Sequence, residues 1–341
     1  MQPHKDIQTP FSAGSEYDPA IDTTVVSLRY DDPRDPARSI AIGIAPELGS
    51  NLFRFRVGEY DLIHSEPELL QNHGFTGNFV LWPLPNRIRD KRYTYGGHEY
   101  WLRDVVRLIK DAHLIHGLVL DRAWSFEQPV VTPDAASVTT AIDMEPGCRY
   151  FEHFPFESRL ELTWTLTRER LALTYRVSNR GTGPLPFGFA MHPYFPRLSG
   201  DQETLVSLPA EAVMEADETL LPTGRIFDVR QVMYEMYDLR QPLPVGNLKL
   251  DHVYTRLHQD EPALIDYRQQ RLQLRISASD DFTHIVIYAP AGAPYFCIEY
   301  QTCSTDAINL HQQGKRELAH LLEVPPAGTH QGTINYDIKF G

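Results

Sequence analysis

One carboxylate lies inside a strand-like apolar segment near the end of the chain. In Tyr295–Gln301, Phe296, Ile298 and Tyr300 face one way, whereas Glu299 faces the other. Burying a carboxylate costs free energy unless it has partners or a function. Desolvation also raises the pKa of a carboxyl group towards the range that suits a general base. The pattern therefore favours a catalytic role for Glu299 over a structural one.

A histidine lies in an apolar, aromatic and proline-stiffened segment. This residue is His192, within Phe187–Pro196, and it is followed by Pro193 and Tyr194. A single histidine on an apolar face is more often a core residue, but the proline and tyrosine that follow favour the wall of a cleft. Because imidazole is the natural general acid near neutral pH, we expect His192 to supply a proton.

An arginine follows two prolines that stiffen the backbone before it. The segment Leu81–Arg89 contains Pro83 and Pro85, then Asn86 and Arg87. A guanidinium there could donate forked hydrogen bonds to sugar hydroxyls or to a carboxylate. A surface arginine at the end of a strand stays open as the alternative.

Two further segments carry weaker signals. His116 precedes Gly117, which would let the backbone approach a ligand closely, although a structural histidine in a loop is equally consistent with the pattern. Asp251 lies between apolar neighbours in Leu250–Tyr254, where a solvated loop carboxylate would be the ordinary outcome. Neither residue would indicate a site by itself.

The sequence predicts no metal and no cofactor. The three cysteines contain no Cys-x-x-Cys pair, and His113 and His116 have no third ligand at helical spacing. The sequence has no dinucleotide-binding fingerprint, Walker loop or nucleophile elbow. We therefore expect acid–base chemistry that needs neither a metal nor a nucleotide.

Charge and composition narrow the possible partners. The 341 residues are 42% hydrophobic and carry a formal net charge of -13, which argues against nucleic acid or an anionic membrane surface as the partner. The polar start of the chain and the lack of long apolar runs predict a cytoplasmic protein. We expect a small-molecule partner and a monomer or homodimer.

Strand-like alternation must provide the framework for these residues. Apolar and polar residues alternate in Arg159–Thr167 and again in residues 171–177, on either side of a charged turn, which predicts a hairpin. A second hairpin is predicted where Gly96-Gly97 separates two further strand-like runs. Helical periodicity is confined to Glu66–Asn72 and Gln231–Tyr237. The sequence thus predicts an all-β chain, a large antiparallel β-sandwich forming a single domain over residues 1–341, with residues 1–20 as a loosely ordered arm.

Taken together and in order, the segments resemble the aldose 1-epimerase, or galactose mutarotase-like, family. The resemblance consists of Asn86-Arg87-Ile88, His116-Gly117, His192-Pro193-Tyr194-Phe195, Asp251, and Glu299 followed by Gln301-Thr302 and Asp306. It extends from about Trp82 to Asn309. Each motif is weak alone, but the ordered set is fairly specific.

The resemblance implies a large β-sandwich, often called a supersandwich, and interconversion of the α and β anomers of free sugars. It implies that Glu299 is the catalytic base and His192 the catalytic acid. His116 would help to hold and polarise the sugar, and Arg87 and Asp251 would bind its hydroxyls. Asn86 belongs to the same motif and would position Arg87.

The sugar and the exact activity stay open. After His116 the chain lacks the longer glycine-rich loop of the galactose-type pattern. Its shorter segment is closer to bacterial branches of the family with a wider or poorly defined sugar preference. A hexose-6-phosphate 1-epimerase would need a basic cluster, for which Arg89, Lys91, Arg92 and the more distant Arg225 are candidates. Another alternative is a non-catalytic carbohydrate-binding module on the same fold. A glycosidase or lyase domain, with Glu299 and Asp251 as its two carboxylates, is a further one.

Overall fold

The structure, a computed structural model, describes residues 9–103, 105, 109, 110, 112–231 and 237–341. Strands dominate these residues, and the strand pairs that build the two largest sheets are antiparallel. The predicted all-β antiparallel class is confirmed. None of the helices in these ranges is long and apolar enough to cross a membrane.

The largest sheet has ten strands, and it contains the hairpin predicted around residues 168–170. Trp164 lies opposite Leu173 in that hairpin and is completely buried. The sheet consists of β12 (Ser125–Phe126), β13 (Val130–Val131), β14 (Ala136–Met144), β15 (Ser158–Leu166), β16 (Arg170–Asn179), β19 (Thr204–Ser207), β22 (Leu243–Pro244), β24 (Ala263–Tyr267), β25 (Leu272–Ala278) and β29 (Thr329–Phe340).

A seven-stranded sheet carries most of the predicted site residues. In spatial order it is β21 (Pro222–Asp228), β20 (Ala210–Ala216), β23 (Leu250–Leu257), β26 (His284–Ala289), β27 (Tyr295–Gln301), β18 (Ala190–Pro196) and β6 (Asn78–Leu81). Strands distant in sequence, such as β6, β18 and β27, are thereby neighbours.

Side chains between these two sheets form a shared core. The Tyr300 hydroxyl, from β27, donates to the Ile276 carbonyl oxygen of β25 at 2.9 Å. It also accepts the backbone N–H of Ala263, in β24, at 3.3 Å. Tyr175 of β16 stacks on Phe189, just before β18, with ring centroids 4.2 Å apart. One face of the seven-stranded sheet is thus covered by the ten-stranded sheet, which leaves its other face for the site.

The N-terminal region is more ordered than the sequence suggested. A five-stranded sheet consists of β1 (Phe11–Asp18), β2 (Thr23–Tyr30), β3 (Ile40–Ala45), β4 (Asn51–Val57) and β5 (Tyr60–Asp61). The expectation of a loosely ordered arm over residues 1–20 is therefore wrong from Phe11 onwards. Strand β1 pairs with β2 along its whole length, because backbone hydrogen bonds do not require an apolar side-chain pattern.

The remaining sheets and the α-helices are small. They are a three-stranded sheet of β7 (Arg87–Ile88), β10 (Ile109–Lys110) and β11 (His113–Ile115), the pairs β8 (Arg92–Tyr95) with β9 (His98–Trp101) and β17 (Leu185–Phe187) with β28 (Leu322–Val324), and the helices α1 (Pro67–Gln71), α2 (Gly200–Glu203), α3 (Ala307–Gln312) and α4 (Arg316–Ala319). The hairpin at Gly96-Gly97 and the helix within Glu66–Asn72 are confirmed. The helix predicted over Gln231–Tyr237 lies largely outside the described residues.

Candidate functional site

Strand β27 presents Glu299 on the face away from the shared core. Tyr300 hydrogen bonds across to the ten-stranded sheet, so its neighbour Glu299 must point to the opposite face. The Glu299 side chain is nevertheless buried, with 2% of the residue exposed. The Gln301 amide, on the same face, donates to Glu299 Oε2 at 3.1 Å. The predicted alternation in this segment is therefore confirmed.

Strand register places His192 beside Glu299. Ala190 pairs with Gln301 and Tyr194 with Cys297, so His192 lies opposite Glu299 on the neighbouring strand. The His192 Nε2 atom is 3.3 Å from Glu299 Oε1. Opposite residues of an antiparallel pair point to the same face, which is why two distant segments bring an imidazole and a carboxyl group into contact.

Aromatic rings fix the orientation of the His192 imidazole. It lies nearly parallel to Phe79, at 4.7 Å and 18°, and to Tyr194, at 4.9 Å and 14°. His116 meets it edge-on, with ring centroids 4.9 Å apart and an interplanar angle of 85°. Such packing restricts the ring to the rotamer that faces Glu299.

A tight turn brings His116 over the sheet. His116 and Gly117 both have left-handed backbones, with φ of 66° and 78°. A Cβ atom at Gly117 would lie 2.4 Å from the Trp82 carbonyl oxygen, so only glycine fits there. The His116 N–H donates to the Asn86 carbonyl oxygen at 2.9 Å, which ties this turn to the arginine segment.

The Asn86 side chain holds Arg87. Its Oδ1 accepts the Arg87 backbone N–H at 2.9 Å and the Arg87 Nη1 at 3.3 Å. Asn86 itself has a left-handed backbone with φ of 58°. From the other side, the Asp306 N–H donates to the Arg87 carbonyl oxygen at 2.9 Å, and the Arg89 N–H donates to Asp306 Oδ1 at 3.1 Å.

All six predicted site residues line one pocket. Asp251 reaches it from β23, where it lies opposite Tyr288 of β26. The lining consists of Phe75, Asn86, Arg87, Lys110, Ile115, His116, His192, Tyr194, Asp251, Val286, Tyr288 and Glu299. The structure therefore brings the six predicted side chains together from five separate parts of the sequence.

Burial governs the protonation of the central groups. Burial, reinforced by the nearby Asp251 charge, raises the pKa of Glu299 well above its usual range, whereas the Gln301 amide and Arg87 act to lower it. Burial lowers the pKa of His192 to about 3. Burial also lowers the pKa of His116 well below its usual range, and the nearby His192 and Arg87 lower it further. Although the His192–Glu299 distance fits an ion pair, these shifts favour a neutral imidazole next to a protonated carboxyl group.

Several buried polar atoms of the site have no hydrogen-bond partner within the described part of the chain. They include Arg87 Nε, His116 Nδ1 and His192 Nδ1. Buried polar atoms are usually paired, so unpaired ones concentrated in a single pocket indicate that a polar ligand can bind there.

Comparison with known proteins shows the family of the chain. The model of one family, described as aldose 1-epimerase, matches residues 44–321. The chain belongs to the aldose 1-epimerase family.

Relatives within and around this family are distant. The chain is 27% identical to the uncharacterized Escherichia coli protein YihR over 67% of this chain and 71% of that protein. It is 26% identical to galactose mutarotase from Mus musculus over 67% of this chain, but that match spans only 58% of the mouse protein.

Solved structures share the fold. A galactose mutarotase-like protein from Clostridium acetobutylicum superposes with a TM-score of 0.82 at 19% identity, over 97% of this chain and 99% of the other. Galactose 1-epimerase from Lactobacillus acidophilus gives a TM-score of 0.73 at 16% identity, over 97% and 98% of the two chains. The predicted galactose mutarotase-like sandwich is thereby confirmed.

Some of the sequence-based candidates do not reach this pocket. Arg89 lies near the Asp217 and Asp306 carboxylates, Arg92 near Glu99 and Arg225 near Glu215. These arginines and Lys91 are not among the residues that line the pocket.

Sequence reasoning did not single out five lining residues, which are Phe75, Lys110, Ile115, Val286 and Tyr288. Tyr288 could have been found, because Ile285 and Ile287 alternate with it and face the core. Phe75 lies in a loop, and Lys110 ends the two-residue strand β10, which is too short to produce an alternating pattern.

One group of possible metal ligands lies in the described part of the site. Donor atoms of His192, Cys297 and Glu299 all lie within 4.8 Å of one another. The sequence-based expectation of no metal cofactor stays a prediction.

Proposed function

We propose that the protein is an aldose 1-epimerase that interconverts the α and β anomers of an aldose by acid–base ring opening and closure. The observation that carries this proposal is the 3.3 Å contact between His192 Nε2 and Glu299 Oε1 within the pocket. An acid and a base must act on two neighbouring oxygens of the sugar, and this pair offers both groups side by side.

A single proton shared by His192 and Glu299 is enough for the acid–base chemistry of ring opening. Burial favours the carboxylic acid form of Glu299 and the neutral form of His192, so the resting pair carries no net charge. Transfer of that proton across the contact produces a carboxylate and an imidazolium, the forms that start ring opening. Arg87 lowers the pKa of Glu299 and thereby favours this transfer.

Ring opening breaks the bond between C1 and the ring oxygen. Glu299 takes the proton of the anomeric hydroxyl, whose oxygen becomes the aldehyde oxygen, while His192 gives its proton to the departing ring oxygen. After rotation about the C1–C2 bond, the ring closes on the opposite face of C1. His192 then recovers its proton from the attacking hydroxyl, and Glu299 returns its own to the aldehyde oxygen, so protons and electrons balance.

The surrounding polar groups would hold the sugar. Arg87 and His116 each have a buried nitrogen without a partner among the described residues, and Asp251 adds a carboxylate to the lining. Donors and an acceptor of this kind suit the hydroxyl groups of a pyranose, which both donate and accept. We assign substrate binding to these residues and the positioning of Arg87 to Asn86.

The direct test is polarimetry on freshly dissolved α-D-glucose and α-D-galactose. The wild-type protein should accelerate the approach to anomeric equilibrium for at least one of them, and Glu299→Gln should lose most of that acceleration. A wild-type protein that accelerates neither sugar, nor the phosphorylated sugar considered next, would overturn the proposal and favour a non-catalytic carbohydrate-binding module.

A second candidate is a hexose-6-phosphate 1-epimerase, and one observation favours it. Lys110, together with Arg87, places positive charge at the pocket. α-D-Glucose 6-phosphate therefore belongs in the same assay. A preference for this sugar that Lys110→Ala removes would support the second candidate, whereas equal rates in the variant and the wild type would exclude Lys110 as a phosphate ligand. The cytoplasmic location and the monomeric or homodimeric state stay predictions.

A further inference from the structure

Cys297 is a buried thiol beside the acid–base pair, and the proposed reaction does not use it. It lies two residues before Glu299 on β27, on the same face, and opposite both Tyr194 and Tyr288. It is fully buried. Its sulfur lies within 4.8 Å of donor atoms of both His192 and Glu299, so the thiol belongs to the same cluster of donor groups.

The geometry suits a metal ion of tetrahedral preference. Two ligands bonded to zinc at about 2.0–2.1 Å each, at the tetrahedral angle, are about 3.3 Å apart. His192 Nε2 and Glu299 Oε1 already lie 3.3 Å apart. A donor atom of Cys297 lies within 4.8 Å of donor atoms of both, so a side-chain adjustment of about 1 Å would bring the sulfur to its place.

The donor set selects the class of cation. One imidazole, one thiolate and one carboxylate are typical ligands of zinc, whereas magnesium and calcium prefer oxygen ligands only. A divalent cation with a thiolate and a carboxylate gives a neutral cluster, which can be buried at lower cost than a charged one.

We propose that His192, Cys297 and Glu299 form a binding site for a zinc-class divalent cation, with a fourth position directed at the pocket. Binding releases the thiol proton and the proton shared by His192 and Glu299. An occupied site would lack both the acid and the base, so the cation is an inhibitor that competes with catalysis. This last consequence rests on the proposed epimerase function, whereas the binding itself does not.

Cadmium titration of chelator-treated, full-length protein tests the site directly. The ultraviolet thiolate-to-cadmium charge-transfer band should saturate at one cadmium per chain in the wild type. In Cys297→Ser the band should vanish and the affinity should fall by more than about tenfold, since even losing a partner of a ligand commonly has that effect. Cys148→Ser is the matched control, because Cys148 lies away from the pocket, and it should bind like the wild type.

Two outcomes would overturn the proposal. One is a wild-type protein that shows no thiolate band, and the other is unchanged cadmium binding in Cys297→Ser. If Cys297→Ser disturbs folding, as judged by circular dichroism, Cys297→Ala provides the same comparison.

Activity provides a separate readout. Zinc or cadmium should inhibit wild-type mutarotation, and the activity that remains in Cys297→Ser should be at least about tenfold less sensitive. A protein that binds cadmium as predicted but has no epimerase activity would contradict the proposed function and leave the metal site intact.

Discussion

His192 Nε2 lies 3.3 Å from Glu299 Oε1, although the two residues belong to strands far apart in the chain. Strand register alone brings them together, because β18 and β27 are antiparallel neighbours in the seven-stranded sheet. Their spacing therefore depends on the pairing of the sheet and not on a flexible loop, which is the kind of support that a catalytic pair requires.

Because the two side chains share one proton, their contributions to the rate should not be additive. Glu299→Gln and His192→Asn should each lower kcat by about 10²–10⁴, and the double variant should be little slower than the worse single one. Single-turnover and steady-state kinetics measure this, and ligand-observed NMR should still detect sugar binding. Effects that multiply in the double variant would contradict a shared proton.

Arg87 should be needed for its forked shape as well as its charge. Arg87→Lys keeps the charge but loses the fork, so KM should rise by about tenfold, the effect of roughly 1.4 kcal/mol of lost binding. Asn86→Gly removes the amide that holds Arg87 while permitting the left-handed backbone, and its effect should be smaller but in the same direction. An Asn86→Gly variant with a wild-type KM would contradict a positioning role.

Gly117 should tolerate no side chain. Gly117→Ala places a Cβ atom 2.4 Å from the Trp82 carbonyl oxygen and should lower the free energy of unfolding by about 1–3 kcal/mol, as well as reducing activity by displacing His116. Gly97→Ala is the control, because Gly97 also has a positive φ but no described atom lies within 4 Å of the position that a Cβ atom would take there. Urea unfolding that gives equal losses for both variants would show that only backbone strain matters.

Asp306 should make stability depend on pH. Burial raises the pKa of Asp306 to about 6, so the folded state binds its proton more tightly than the unfolded state does. The stability that this group contributes is present below about pH 4 and is lost as the pH rises through about 6. Asp306→Asn cannot ionise, so its stability relative to the wild type should increase by up to roughly 3 kcal/mol between about pH 4 and pH 7.

Denaturant unfolding at several pH values measures this difference. Asp134→Asn, at an exposed loop carboxylate, is the matched control for the same substitution outside the site. A constant difference for Asp306→Asn would mean that the Asp306 carboxyl group does not titrate in this range.

The sequence predicts the strands of the site better than its loops. Alternation alone indicates which face of β27 carries Glu299, because inward and outward side chains must follow the two-residue period of a strand. By contrast, the left-handed backbones of Asn86 and His116 leave no such pattern, although they determine where Arg87 and the imidazole lie.

Local sequence patterns also cannot predict which distant strands pair in the sheet. Nothing in the sequence around His192 specifies that β18 lies between β6 and β27, because that order results from packing of the whole sheet. The N-terminal strand β1 was missed for a related reason. Its exposed and polar residues gave no apolar alternation, yet its backbone pairs fully with β2.

Exchange NMR in D₂O, on an aldose at anomeric equilibrium, tests the central claim most directly. Ring opening predicts exchange between the α and β anomeric protons that is faster with the wild-type protein than with His192→Asn, with no loss of the C1 or C2 proton signals to deuterium. Loss of either signal would indicate that a C–H bond breaks, and an exchange rate unchanged by the protein, for both free and phosphorylated sugars, would contradict epimerase activity.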